Sequence, residues 1–179
     1  MNQLIPPVNT NDHIYGSAAL ELVEYGDYEC PYCGRAYPII KHIQQKLGDD
    51  LKFVFRNFPL SHIHPHAFAA AVATEAAGLQ NKFWEMHDIV FENQKTLEPG
   101  DIFYFAKSIG LDLEKFKNDI TNNELQSKVE GDIESGFRSG VNKTPTFFIN
   151  GVRYEGDWEE NTFLQYLKDQ LMETSISGE

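Results

Sequence analysis

The sequence predicts an α/β fold in which an all-helical block is inserted between the strands of one sheet. Three observations carry that expectation. An apolar strand pattern over 18–25 passes into a helical pattern with Ala36, Tyr37, Ile40, Ile43 and Leu47, and a second strand pattern follows over 51–58. From about residue 65 to 140 the strand pattern is absent and helical spacing replaces it. Strands return over 146–150 and 153–155, ahead of a last helix.

Each element has a local cause. Residues 1–17 are expected to form an extended arm, because Pro6-Pro7 and Asn9-Thr10-Asn11-Asp12 disfavour regular structure. The strand at 18–25 is apolar on both faces, through Leu20, Leu22, Val23 and Tyr25, as in a sheet covered by helices. Pro31 suits the first turn of the next helix, where its missing N–H costs nothing. That helix is expected to reach Leu47, kinked at Pro38. A helix-length crossover separates the two strands, so the strand at 51–58 is expected to run parallel to the first. Helices are expected over 67–79, 82–93, 101–108, 112–120 and 123–137, with Asp112 and Asn123 as N-caps. Asn150-Gly151 signals a two-residue hairpin. The final helix, 159–172, presents Phe163, Leu164, Leu167 and Leu171 at helical spacing, and 174–179 should fray. The expected division is an arm at 1–17, a sheet domain from 18–61 and 141–173, and a helical insertion at 62–140.

Composition narrows the function classes. A chain of 179 residues can bury a core without disulfide staples, and its only two cysteines are Cys30 and Cys33. A formal charge of −12 argues against nucleic acid, which requires clustered Lys and Arg. No apolar run approaches the roughly 18 residues of a membrane helix, so no membrane insertion is expected. Residues 1–16 lack a basic region followed by an apolar one, so no signal peptide is expected. The expected location is cytoplasmic, or periplasmic for a chain from which a leader has been cut.

The chemistry centres on Glu29-Cys30-Pro31-Tyr32-Cys33-Gly34, set where a strand gives way to a helix. Thiol–disulfide exchange needs a thiolate, and a helix N-terminus supplies N–H groups and partial positive charge that favour one. Cys30, expected to be exposed there, is the candidate attacking nucleophile; Cys33, one turn on and more buried, is the candidate resolving thiol. Half of a zinc site is the competing reading. It needs two further ligands, for which only the loop histidines His62, His64 and His66 offer themselves, and alternating histidines before a helix are more often ordinary polar residues. Thr144-Pro145-Thr146 precedes the returning strand. It reads either as a tolerated strand-start proline or as a cis bond that turns backbone groups toward an extended peptide. Glu24, in the buried first strand, needs a partner; Arg56 in the neighbouring strand is the expected one, unless both face solvent.

Val23-Glu24-Tyr25-Gly26-Asp27-Tyr28-Glu29-Cys30-Pro31-Tyr32-Cys33, Lys82-Phe83-Trp84-Glu85-Met86-His87-Asp88 and Gly140-Val141-Asn142-Lys143-Thr144-Pro145-Thr146-Phe147-Phe148-Ile149-Asn150-Gly151 together resemble the DsbA-like thiol:disulfide oxidoreductases of the thioredoxin superfamily. The resemblance covers nearly everything after Ala18. It implies a thioredoxin fold with a helical insertion, Cys30 as nucleophile, Cys33 as resolving thiol and Glu24 as a buried proton-transfer residue. It further implies Pro145 as a cis-proline, Thr144 as a contact to the substrate backbone, and Pro31 and Tyr32 at the substrate surface. Tyr32 departs from the histidine of the periplasmic oxidants and makes the motif identical to that of dithiol glutaredoxins. Lacking an imidazolium, it implies a less oxidising couple. The chain is similar to a cytosolic-type branch, related to thioredoxin-like domains fused to some bacterial antiporters. Even a couple near about −120 mV in a cytosol near about −270 mV would be reduced by about five powers of ten. The expected partners are therefore protein or small-molecule thiols and disulfides and an unidentified redox partner, with no cofactor beyond the cysteine pair and glutathione as a candidate reductant. A glutathione-dependent enzyme on the same fold, and a non-catalytic peptide-binding or chaperone module with a cleft of Tyr28, Tyr32 and Phe147, are the alternatives.

Overall fold

In the computed structural model, which describes residues 2–176, the chain forms in order β1 (His13–Tyr15), β2 (Leu20–Gly26), α1 (Pro31–Leu47), β3 (Leu51–Asn57), α2 (Ala67–Gly78), α3 (Phe83–Glu92) and α4 (Pro99–Ser108). There follow α5 (Leu113–Asp119), α6 (Asn123–Arg138), β4 (Thr146–Ile149), β5 (Val152–Tyr154) and α7 (Glu160–Ile176). The fold is mixed α/β, and the strands lie in the order β1-β3-β2-β4-β5. The chain divides into two compact units. One holds Met1–Tyr25, Arg35–Arg56 and Ser135–Glu179; the other holds Gly26–Gly34 and Asn57–Glu134. Against the expected division, the cysteine segment clusters with the helices, and residues 1–17 cluster with the sheet.

In the sheet unit the central position of β2 explains its composition. A strand with neighbours on both sides and covered faces must be apolar throughout, and Leu20, Leu22, Val23 and Tyr25 are all fully buried. β2 runs antiparallel to β4, with Glu24 opposite Phe147 and Tyr25 opposite Thr146. β4 turns back into β5 through Asn150 (φ 49°) and Gly151 (φ 79°), the paired left-handed conformations that an Asn-Gly hairpin turn requires. Phe163 on α7 packs 5.0 Å from Phe147 and 4.9 Å from Tyr154, ring centre to ring centre. α7 continues to Ile176, past the expected end at 172, and 177–179 lie outside the described residues.

The N-terminal arm is not without regular structure. His13, Ile14 and Tyr15 pair antiparallel with Phe55, Val54 and Phe53, and Gln3 bridges to Val152. The residues before β1 are held as well by Arg56, whose guanidinium donates to both carboxylate oxygens of Asp12 at 2.8 and 2.9 Å and to the carbonyls of Pro6 and Pro7. The expected Glu24–Arg56 pair is therefore replaced. Successive residues of a strand face opposite sides, and Arg56 reaches the Tyr25 side, donating to the Tyr25 hydroxyl at 2.9 Å.

In the helical unit, α2 owes its role to alanine. Ala70, Ala71, Ala73, Ala76 and Ala77 are buried, and small side chains let α3, α4 and α5 pack closely against it. Met86, Val90, Phe116 and Val129 are fully buried around them. Asp112 caps α5, accepting the Lys115 N–H at 3.0 Å. The cap of α6 falls to Asn122, whose side chain accepts the Glu124 N–H at 2.8 Å, one residue before the expected Asn123. Asp132 sits beside Asn57, Glu75 and Lys128; burial raises its carboxyl above the ordinary range, against the opposing Lys128 amine at 2.7 Å.

Candidate active site

Cys30, Pro31, Tyr32 and Cys33 belong to the helical unit. Cys30 immediately precedes α1, Pro31 is its first residue, and the Gly34 N–H closes the first turn on the Cys30 carbonyl at 3.0 Å. Proline suits that position, because its missing N–H would have no acceptor within the helix and its fixed φ is already helical. Pro31 and Tyr32 are exposed, Tyr32 at 59%. Cys33 is fully buried, deeper than Cys30. Cys30 was expected to be exposed, but only 4% of its surface is. The Gln94 carboxamide contributes to that covering, donating to the Cys30 carbonyl at 2.6 Å and lying where a Cβ on Gly34 would stand.

The approach to α1 is held by two carboxylates. Asp27 Oδ1 accepts the N–H groups of Glu29 (2.8 Å) and Cys30 (3.2 Å). Its Oδ2 accepts the Leu60 N–H and the His64 Nδ1–H, both at 2.8 Å. The Asp27 main-chain N–H donates in turn to Cys33 Sγ at 3.4 Å. Glu29 accepts the N–H of His66 at 2.7 Å and its Nδ1–H at 2.9 Å, while Glu98 stands 3.4 Å from the other ring nitrogen. Burial works to raise the Glu29 carboxyl, but the His66 hydrogen bonds and the nearby imidazoles outweigh it and hold it below its ordinary value. The hydrogen bond to Glu29 raises His66; partial loss of water opposes this, and the charges of Glu29 and Glu98 complete a net rise.

Two of the three loop histidines are thus not ordinary polar loop residues. Sequence reasoning missed Asp27, His64 and the Glu29–His66 pair. The signal available was the matched spacing of Asp27-Tyr28-Glu29 and His64-Pro65-His66, one acid per histidine at the same interval. Among the described residues no group of three or more His, Cys, Asp or Glu side chains could hold a metal ion. The expected peptide cleft also changes, because Tyr28 and Phe147 are buried and only Tyr32 of the three is exposed. Tyr28 instead packs on Phe91 at 4.7 Å, with its hydroxyl 2.9 Å from His87 Nδ1.

Glu24, Thr144 and Pro145 belong to the sheet unit. Glu24 is 3% exposed within β2. The Thr144–Pro145 bond is cis, and β4 begins at the next residue, Thr146, opposite Tyr25 near the end of β2. Thr146 donates its hydroxyl to the Lys143 carbonyl at 2.7 Å. A cavity of about 90 Å³ lies beside Pro145, lined also by Lys143, Arg153 and Trp158.

A paired-cysteine motif at a helix start, in a mixed α/β fold with a helical insertion, defines a class, and comparison agrees. A family model described as Thioredoxin matches residues 9–169, and the chain belongs to that family. The fold is that of the DsbA-like thiol–disulfide oxidoreductases. BdbD from Bacillus subtilis, solved in its oxidised form, superposes with a TM-score of 0.82 over 96% of this chain and 97% of its own, at 26% identity. Alpha-DsbA1 from Wolbachia pipientis shares the fold with a TM-score of 0.83 over 98% of each chain, at 20% identity. The Na(+)/H(+) antiporter NhaA 1 of Mycolicibacterium vanbaalenii is 42% identical over 171 residues, covering 93% of this chain and 28% of the relative. NhaA of Herminiimonas arsenicoxydans is 41% identical over 92% of this chain and 27% of its own. The chain thus spans just over a quarter of the length of these curated relatives. Among the described residues no helix is long and apolar enough to cross a membrane.

Proposed function

We propose that this chain is a thiol–disulfide oxidoreductase that exchanges disulfides with protein or small-molecule thiols through the Cys30/Cys33 couple. The observation that carries the reading is the placement of Cys30 at the start of α1 with Cys33 fully buried one turn on. The partial positive charge of a helix N-terminus favours the Cys30 thiolate over the thiol. That thiolate attacks a substrate disulfide, forming a mixed disulfide and releasing one thiolate. Cys33 then attacks Cys30, the Cys30–substrate bond breaks, and the second thiolate leaves with the proton Cys33 gives up. The substrate disulfide is reduced to two thiols and the cysteine pair is oxidised; the reverse sequence forms a disulfide.

Thr144 and Pro145, at the start of β4, are proposed to meet the substrate backbone, and Pro31 and Tyr32 its side chains. Glu24 is proposed to take part in proton transfer. Glutathione is the proposed reductant, and no further cofactor is required. Tyr32 carries no cation that would stabilise the thiolate, which favours the reducing or isomerising direction over net disulfide formation. The test is reduction of insulin disulfides. Cys30→Ser should return the rate to the uncatalysed level, and Cys33→Ser should accumulate a mixed disulfide visible by mass spectrometry. Activity surviving Cys30→Ser would sink the assignment.

A further inference from the structure

Asp27 is a carboxylate that the exchange chemistry does not consume, yet it touches both ends of the motif. Its side chain is wholly buried, and four donors converge on it, from Glu29, Cys30, Leu60 and His64. An ionised carboxylate only accepts, so the hydrogen in the fourth contact sits on His64 Nδ1. With both oxygens occupied, the Asp27 side chain has one orientation, and the peptide plane that carries the Asp27 N–H is anchored at its other end, where the Gly26 carbonyl accepts the Phe58 N–H at 2.8 Å. That plane directs the Asp27 N–H at Cys33 Sγ. The negative charge is meanwhile met by the four donors, so the neighbouring sulfur faces an N–H rather than an open carboxylate.

We propose that Asp27, held by His64, is the positioning residue of the resolving step. The proposal rests on the oxidoreductase reading and extends it to a division of labour. In that step the sulfur–sulfur bond between Cys33 and Cys30 forms and the bond between Cys30 and the substrate sulfur breaks. The proton of Cys33 passes to the departing thiolate; the cysteine pair is oxidised and the substrate sulfur reduced. Negative charge develops on Cys33 as its proton leaves, and a hydrogen bond to the charged form favours that form. The earlier attack by Cys30 makes no use of this N–H. His64 is 16% exposed at its side chain and can be changed without opening the core.

The experiment compares the parent protein with His64→Ala and His64→Asn, using a chromogenic aromatic disulfide to time the first attack and quenched mass spectrometry to time the decay of the mixed disulfide. Asparagine keeps a side-chain N–H able to reach Asp27. His64→Ala leaves Asp27 its three main-chain donors, so it should leave the first attack unchanged and lengthen the life of the mixed disulfide several-fold, less than the full worth of a hydrogen bond to a charged group. His64→Asn should restore it. In a Cys30→Ser background, His64→Ala should lower the Cys33 thiolate fraction at neutral pH, read by ultraviolet absorbance, by a similar several-fold factor. An unchanged decay, equal slowing of both steps, or no rescue by asparagine overturns the proposal. If the parent protein attacks no disulfide, the oxidoreductase reading has failed, and the Cys33 titration alone then decides the role of Asp27.

Discussion

Glu29 and His66 are joined by two hydrogen bonds, one from the imidazole and one from the main-chain N–H; both hold the Glu29 carboxyl down, and only the first depends on the charge of His66. His66 is raised above its ordinary value of 6.5, so its contribution to stability is complete below that value and is lost as pH rises through the folded value. Glu29 is lowered from 4.5, so its contribution is complete above that value and is lost as pH falls through the folded value. The two windows overlap between 4.5 and 6.5. His66→Ala keeps the main-chain N–H that Glu29 accepts and removes only the imidazole, so it should lower Tm most within that interval and progressively less on either side. Tm measured across pH checks this; a deficit that is flat with pH would remove the ion pair from the account. Salt should shrink the effect, because both side chains reach solvent.

Among the elements, two glycines with nearly equal backbone angles separate two kinds of cost. Gly151 has φ 79° with open space where a Cβ would stand, so Gly151→Ala should cost about 1–2 kcal/mol, the strain of a left-handed L-residue. Gly16 has φ 83°, but a Cβ there would run into the Leu51 carbonyl oxygen, so Gly16→Ala adds a steric clash and should cost distinctly more. Urea denaturation of both variants tests the ranking, and equal losses would show that β1 yields at no cost. The β4–β5 hairpin was legible in sequence because its signal is local: Asn150-Gly151 sets its own dihedrals. β1 was not, because nothing within His13–Tyr15 demands a strand; Gly16 lets the chain approach Leu51, and pairing with β3 does the rest. The α6 cap was missed by one residue for the same reason in miniature, since Asn122 and Asn123 are chemically alike and only the backbone direction chooses between them.

Across the whole molecule, the sheet and the inserted helices could be read in advance because strands covered on both faces show as short apolar runs while helices keep a 3.6-residue spacing. The cysteine motif could be read because its chemistry is confined to four consecutive residues. What escaped was long-range polar pairing. The partner of Arg56 lies 44 residues away in a proline-broken arm, and the partner of Asp27 lies 37 residues on. Arg56 is the clearest measure of how much such pairing matters. Burial works against its charge, but the hydrogen bonds to Asp12 and Tyr25 outweigh it and hold the guanidinium firmly protonated. Its side chain is 2% exposed and that of Asp12 4%, so removing one partner leaves the other charge buried. Arg56→Ala should accordingly cost about 3–5 kcal/mol in urea denaturation. It should also free the Pro6 and Pro7 carbonyls and speed proteolytic cutting within residues 1–17. Asp12→Ala combined with Arg56→Met should recover part of the stability, since no charge is then stranded, yet leave the arm as easily cut as in Arg56→Ala. Recovery of stability together with protection of the arm would mean that β1 pairing, not the guanidinium, is what ties the arm to the sheet.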